Sequence, residues 1–169
     1  MQQRSTMTRV DRRVLIGSLN DAHAMEARSL TVLRREATDP QQRVDVRARL
    51  ESHLHETVQH AERLRQALHA LGTVPTAVGS HAEPVMVLAT DITGRVFSDP
   101  LVRKVIAALA AKQFEVAAYT ALIAAAEYVG EAEVARLCRL NRGEDEDMAE
   151  WLDAQIPITL GHTLGRIVR

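Results

Sequence analysis

The sequence predicts an all-α chain, a four-helix bundle of two helical hairpins joined by a long crossover, and three observations carry that prediction. Aromatic residues make up only 3% of the 169 residues, and alanine and leucine dominate, which favours close-packed helices over sheets. Apolar residues recur at intervals of three and four over runs of about thirty residues, the period of a helix with one buried face. One pattern then occurs twice: a glutamate within an apolar stripe, followed by a second glutamate on the next helix. The first copy is Glu26 to Glu56 and the second Glu115 to Glu144, spacings of 30 and 29 residues, with Thr31 aligned on Thr120 and Leu33 on Leu122.

Punctuation places each helix. Leu15, Leu19, Ala22, Leu30 and Leu33 mark a first helix from about residue 10 to 37, closed by Thr38-Asp39-Pro40. A second runs from there to Gly72, a natural C-terminal stop, with Val46, Leu50, Leu54, Ala61, Leu64, Leu68 and Leu71 inside it. The stretch 73–84 holds two prolines and a glycine without a clear apolar period and reads as the crossover, with a short helix expected at 85–91. A third long helix begins near Pro100, a residue suited to a first helical turn, and passes Leu101, Val105, Ala108, Tyr119 and Leu122 to reach Gly130. The fourth spans 131–156 and stops before Pro157, leaving a weakly patterned tail. Length and a hydrophobic content of 46% suit a single domain over 1–169, with its bundle core at about 10–156 and its C-terminal tail at 157–169.

Composition narrows the function classes. Lysine and arginine number 21 against 22 aspartates and glutamates, a net charge of -1, so no dense basic face gives a reason to bind nucleic acid. The first residues, 1–9, lack the apolar core of a signal peptide, and no stretch reaches the roughly 18 uninterrupted apolar residues of a membrane span. The expectation is a cytoplasmic protein with neither a membrane nor a nucleic-acid partner. Cys138, the single cysteine, cannot form an intrachain disulfide and is expected as a buried structural thiol. No phosphate loop, nucleophile elbow or cysteine-histidine zinc spacing is present.

The candidate chemistry rests on where the glutamates point. Glu26 stands four residues after Ala22, seven after Leu19 and four before Leu30, in the middle of the core-facing stripe. Glu115 has Ala108 and Ala111 before it and Tyr119 and Leu122 after it at the same offsets. Glu56 shares a face with His53 and His60. Glu144 follows Leu137 by seven and precedes Met148 by four, although its neighbours Asp145, Glu146 and Asp147 form an acidic run of which part must face water.

Four carboxylates aimed at one core repel each other, and burying an unpaired charge is costly. Two divalent iron or manganese ions would balance them, with histidine filling a further ligand position; His60 is the candidate. The alternative is that the glutamates lie at the stripe's edge and pair with arginines such as Arg63, Arg139 and Arg142. Tyr119, one turn past Glu115, could hydrogen-bond a ligand carboxylate. His23, His55, His69, His81 and His162 share no spacing and read as solvent-facing or loop residues.

These residues resemble a known family. Leu19-Asn20-Asp21 with Glu26, His53-Leu54-His55-Glu56-Thr57 with His60 and Arg63-Leu64, and the segment from Phe114-Glu115 to Tyr119 are similar to the ferritin-like YciE/YciF family of bacterial stress-associated proteins, over about residues 12–156. The resemblance implies a ferritin-like bundle, a homodimer, a di-iron-type centre with Glu26, Glu56, Glu115 and Glu144 as its carboxylates, and a poorly defined activity. Many ferritin-like proteins carry histidine three residues after the second- and fourth-helix glutamates; here those positions hold Gln59 and Asp147, and Asp147 joins the candidate ligand set. Relatives carry glutamate and histidine where this chain has Lys112 and Gln113. Two functions follow. In one, a dinuclear iron or manganese centre reacts with dioxygen or peroxide, oxidising ferrous iron or destroying peroxide. In the other, Lys112 balances the carboxylates of a metal-free dimeric scaffold or binding module.

Overall fold

The computed structural model describes residues 2–39, 43–76 and 98–167. They form four long helices, α1 (Gln2–Ala37), α2 (Val44–Ala70), α3 (Pro100–Tyr128) and α4 (Ala132–Ile167), and no strand occurs among the described residues. The all-α expectation and the order of the helices hold. The short helix expected at 85–91 lies outside the described residues.

Two of the helix ends are built alike. Gly72 (φ 76°) and Gly130 (φ 79°) take the left-handed conformation that only glycine adopts without a steric penalty. After α2, Thr73 N–H donates to the Leu68 carbonyl at 3.0 Å and Gly72 N–H to that of His69 at 2.9 Å; after α3, Glu131 N–H donates to Ala126 at 2.8 Å and Gly130 N–H to Glu127 at 3.1 Å. This paired closure satisfies carbonyls that the helix would otherwise leave open. At the start of α3, Asp99 Oδ1 accepts from the backbone N–H groups of Leu101 (2.8 Å) and Val102 (2.9 Å), with Pro100 in the first turn, where its missing N–H costs nothing.

Two bounds differ from the sequence reading. α1 starts at Gln2, ahead of the first strongly periodic apolar residue. α4 does not stop at Pro157 but carries it inside and continues to Ile167. A proline there removes one helical hydrogen bond, at a cost of about 3 kcal/mol, and does not forbid continuation when later turns are held. Thr163 Oγ1 holds them by donating to Asp99 Oδ2 at 3.0 Å, so the capping aspartate of α3 also fastens the last turns of α4.

The chain packs into two compact units. The first comprises Met1–Ser80 and Ala118–Arg142. Its core joins Leu15, Leu19, Ala22 and Met25 of α1 to Leu64, Ala67, Leu68 and Leu71 around α2, with Tyr119, Leu122, Ile123 and Ala126 of α3 and Val134, Leu137 and Cys138 of α4. Asn20 ties the segment after α2 onto α1, its Oδ1 accepting from Thr76 N–H at 2.7 Å. Cys138 is fully buried, as expected, and desolvation pushes its thiol up to about 12. The second unit comprises His81–Ala117 and Gly143–Arg169. Among its described residues, Val102 and Ala107 of α3 and Met148, Ala149 and Leu152 of α4 are buried and apolar.

Candidate metal centre

Directly beyond the apolar core of the first unit, each helical stripe turns polar. On α1 the stripe passes from Ala22 and Met25 to Glu26; on α2 it passes from Leu64 back to His60, Thr57 and His53; on α4 it passes from Cys138 to Asn141. All of these polar residues are buried, and Glu26, His53, Thr57, His60 and Asn141 have no exposed surface. The helical period thus delivers a block of polar side chains into a dry place. Each polar atom there must find a partner or cost free energy.

Most of them find one in a chain that draws one residue from each helix. Arg63 Nη1 of α2 donates to Asn141 Oδ1 of α4 at 3.0 Å. The Asn141 amide donates to Tyr119 Oη of α3 at 3.0 Å and to the His60 carbonyl at 3.2 Å. Tyr119 Oη then donates to Glu26 Oε1 of α1 at 2.5 Å. The direction is set at its start: a guanidinium can only donate, so the asparagine presents its oxygen to Arg63 and its NH₂ to the phenol. The phenol oxygen is occupied as an acceptor, and its proton is committed to the carboxylate. A bond of 2.5 Å lies in the short range found for hydroxyls donating to carboxylates.

Glu26 is also 3.5 Å from His60 Nδ1. Its other oxygen, Oε2, is buried and has no hydrogen-bond partner, and among the described residues no lysine or arginine pairs with this carboxylate. Nearby on α2, Glu56 is held from two sides, by His53 Nδ1 at 2.6 Å and by Arg49 Nη1 at 3.3 Å, and its side chain is 29% exposed. A carboxylate accepts, so His53 carries its proton on Nδ1. Glu56 is thereby fastened by a histidine and an arginine at the edge of the buried block.

In the second unit the carboxylates meet a cation. Lys112 Nζ donates to Glu115 Oε2 at 2.5 Å and to Asp145 Oδ1 at 3.1 Å, and all of these side chains are buried. Lysine and glutamate three apart share one face of α3, so the helix itself presents the ammonium to the carboxylate.

The candidate residues therefore fall as follows. Glu26, His60 and Tyr119 come together in the first unit, with Glu56 beside them on α2. Glu115 is buried against Lys112 in the second. Glu144 is half-buried and Asp147 exposed, because the buried stripe of α4 runs through Val134, Cys138, Asn141, Asp145, Met148 and Leu152, and neither lies on it. Two residues without an assigned role, Asn141 and Asp145, occupy that stripe. The signal for them was the three-and-four spacing from Cys138 to Met148, which places Asn141 and Asp145 on the core face and turns Glu144 about 100° away. His55, His69 and His162 are exposed and His23 is half-buried; His81 lies outside the described residues.

Two donors of the first unit are of the type a divalent transition-metal ion takes: a buried carboxylate with an unpartnered oxygen and an imidazole nitrogen 3.5 Å from the other oxygen. Those of the second unit already hold a cation of their own.

Comparison with known proteins places the family and the fold. A family model described as Domain of unknown function (DUF892) matches residues 11–163. Among solved structures, the chain is similar to a protein of Xanthomonas campestris pv. campestris, with 29% identity over 94% of this chain and 99% of that one and a TM-score of 0.72. It is similar in fold to the E. coli stress protein YciF, with 22% identity over 89% and 97% of the two chains and a TM-score of 0.70. Ferritin-like, diiron-carboxylate proteins of Bacillus anthracis share the fold at 17% identity over 86% and 97%, also with a TM-score of 0.70.

Proposed function

This chain belongs to the DUF892 family and has the ferritin-like fold of YciF, and from that premise we propose that it is a stress-associated metalloprotein acting on dioxygen or hydrogen peroxide. In this reading the metal is iron or manganese, held by Glu26 and His60, and the protein is a cytoplasmic homodimer. A single observation carries the reading: Glu26 is a carboxylate with no exposed surface, an unpartnered Oε2 and no lysine or arginine to balance it among the described residues. Burying such a charge costs several kcal/mol unless a cation joins it or a proton neutralises it.

The chain's own residues prepare that carboxylate. Tyr119 engages Oε1, which fixes the rotation of the Glu26 head and leaves Oε2 as the donor toward a cation. Asn141, oriented by Arg63, holds the phenol in place and also fastens the backbone of His60, so one amide positions both the carboxylate's partner and the imidazole's turn of helix. Leu64, Leu122 and Cys138 pack the same unit and exclude water. A bound iron or manganese ion would supply the redox chemistry by which ferrous iron is oxidised or peroxide consumed. The test is the rate of ferrous-iron oxidation by peroxide in the presence of the metal-loaded protein and of its Glu26→Gln variant. Acceleration by the parent with none by the variant supports the reading, and a parent no faster than buffer contradicts it.

The contact of Lys112 with Glu115 and Asp145 favours a second reading, a metal-free helical scaffold in which lysine supplies the buried positive charge. It predicts a protein that folds fully and binds no metal.

A further inference from the structure

We infer that Lys112 stands in place of a second metal ion, so that this chain holds one ion per protomer, at Glu26 and His60, where the duplicated carboxylate pattern alone would call for two. The inference rests on the metal-binding reading above and deepens it.

The duplicated glutamates predict two divalent ions balancing four carboxylates at one core, and the structure treats the two copies differently. The first-copy carboxylate, Glu26, is buried beside a histidine and a phenol with no fixed positive charge on it among the described residues. The second-copy carboxylate, Glu115, has an ammonium 2.5 Å from Oε2. The same ammonium is 3.1 Å from Asp145 Oδ1, so it spans Glu115 and Asp145, the buried carboxylates among the described residues of the second unit. A metal bound to carboxylate oxygen lies about 2.0–2.2 Å from it, so an ion bridging Glu115 Oε2 and Asp145 Oδ1 would stand in the space that Nζ occupies. Two like charges that close repel steeply in a buried setting.

Lys112 is not free to step aside. Its side chain is 7% exposed, against 5% for Glu115 and none for Asp145, and it leaves from the middle of α3 rather than from a loop. Lysine stems of buried residues usually lead the ammonium out to water; this one leads inward to two carboxylates. The pair with Glu115 is also local, three residues apart on one helix, so it forms whenever that helix does. Gln113, beside it, is exposed and brings no ligand to replace the lysine.

The experiment counts manganese bound per protomer after metal-free parent, Lys112→Gln and Lys112→Arg proteins are loaded with Mn²⁺ and desalted, with circular dichroism as the control for folding. The parent is expected to retain one equivalent, Lys112→Arg one, and Lys112→Gln two, since glutamine leaves the Glu115 and Asp145 carboxylates without their cation. Two equivalents in the parent, or one in a folded Lys112→Gln protein whose parent also retains one, would overturn the inference. Should Lys112→Gln fail to fold, the parent decides: one equivalent upholds the inference and two overturn it. A parent with none, alongside a Lys112→Gln protein with one, contradicts the Glu26–His60 reading while upholding the role of Lys112; none in either overturns both.

Discussion

Tyr119 and Glu26, 93 residues apart in sequence, meet at 2.5 Å, the phenol of α3 donating to a fully buried carboxylate of α1. The bond joins the two hairpins through groups that are costly to bury singly. Tyr119→Phe removes the donor, leaves Glu26 Oε1 without it and strips one acceptor from Asn141. The expected cost is about 1–3 kcal/mol, read from denaturant unfolding. Metal affinity should also fall by roughly 10–100-fold, since the phenol fixes the ligand's orientation. A variant equal to the parent in both measurements would show that the bond positions nothing.

The apolar layer beneath the polar block should be as sensitive to truncation as an ordinary core. Leu68 is fully buried among Leu15, Leu19 and Leu64 in the first unit, so Leu68→Ala removes buried methyl groups and leaves a cavity. A loss of about 2–5 kcal/mol is expected in chemical denaturation, against less than about 0.5 kcal/mol for Leu140→Ala on the exposed side of α4.

Cys138 should be chemically silent while the protein is folded. Burial pushes its thiol up to about 12, so at pH 8 almost none is thiolate and none is within reach of a reagent. A disulfide reagent such as dithionitrobenzoate should release no thiolate signal from native protein and one equivalent after unfolding in guanidinium. Rapid reaction of native protein would place the cysteine outside the core.

A surface pair gives a pH signature of defined sign. The Arg65 guanidinium, with help from Gln66, holds the Glu62 carboxyl down at about 2 from its ordinary 4.5. A group with a lowered folded-state pKa contributes stability above its unfolded pKa and loses that contribution as pH falls toward the folded value. Glu62→Gln should therefore melt slightly below the parent at pH 7, with the gap closing between about pH 4.5 and 2. A gap that widens on acidification would contradict the assignment. Because the pair is exposed, the effect should also shrink in high salt.

How far the sequence could be read depended on how many residues vote on each feature. The helices were legible because each is long, its period sustained and its ends marked by Gly72, Pro100 and Gly130, whose conformational demands are local. The end of α4 was not, since Pro157 is a local stop signal overruled by a tertiary bond from Thr163 to Asp99, 64 residues away. Within the site, Glu26 and Glu115 stood out because apolar residues flank them on both sides at helical offsets. Glu144 and Asp145 are adjacent, and a shift of one residue turns a side chain by about 100°; only the full run from Val134 to Leu152 resolves which of them faces inward. The role of Asn141 rests on partners from other helices, and no spacing along α4 announces it.

The most direct test of the metal reading is elemental mass spectrometry of protein produced with iron and manganese available, beside its Glu26→Ala variant. A single ion of iron or manganese bound per protomer in the parent, and none in a folded Glu26→Ala protein, is the predicted result. A parent without metal, or a variant that retains it in full, would contradict the assignment of Glu26 as the carboxylate around which the centre is built.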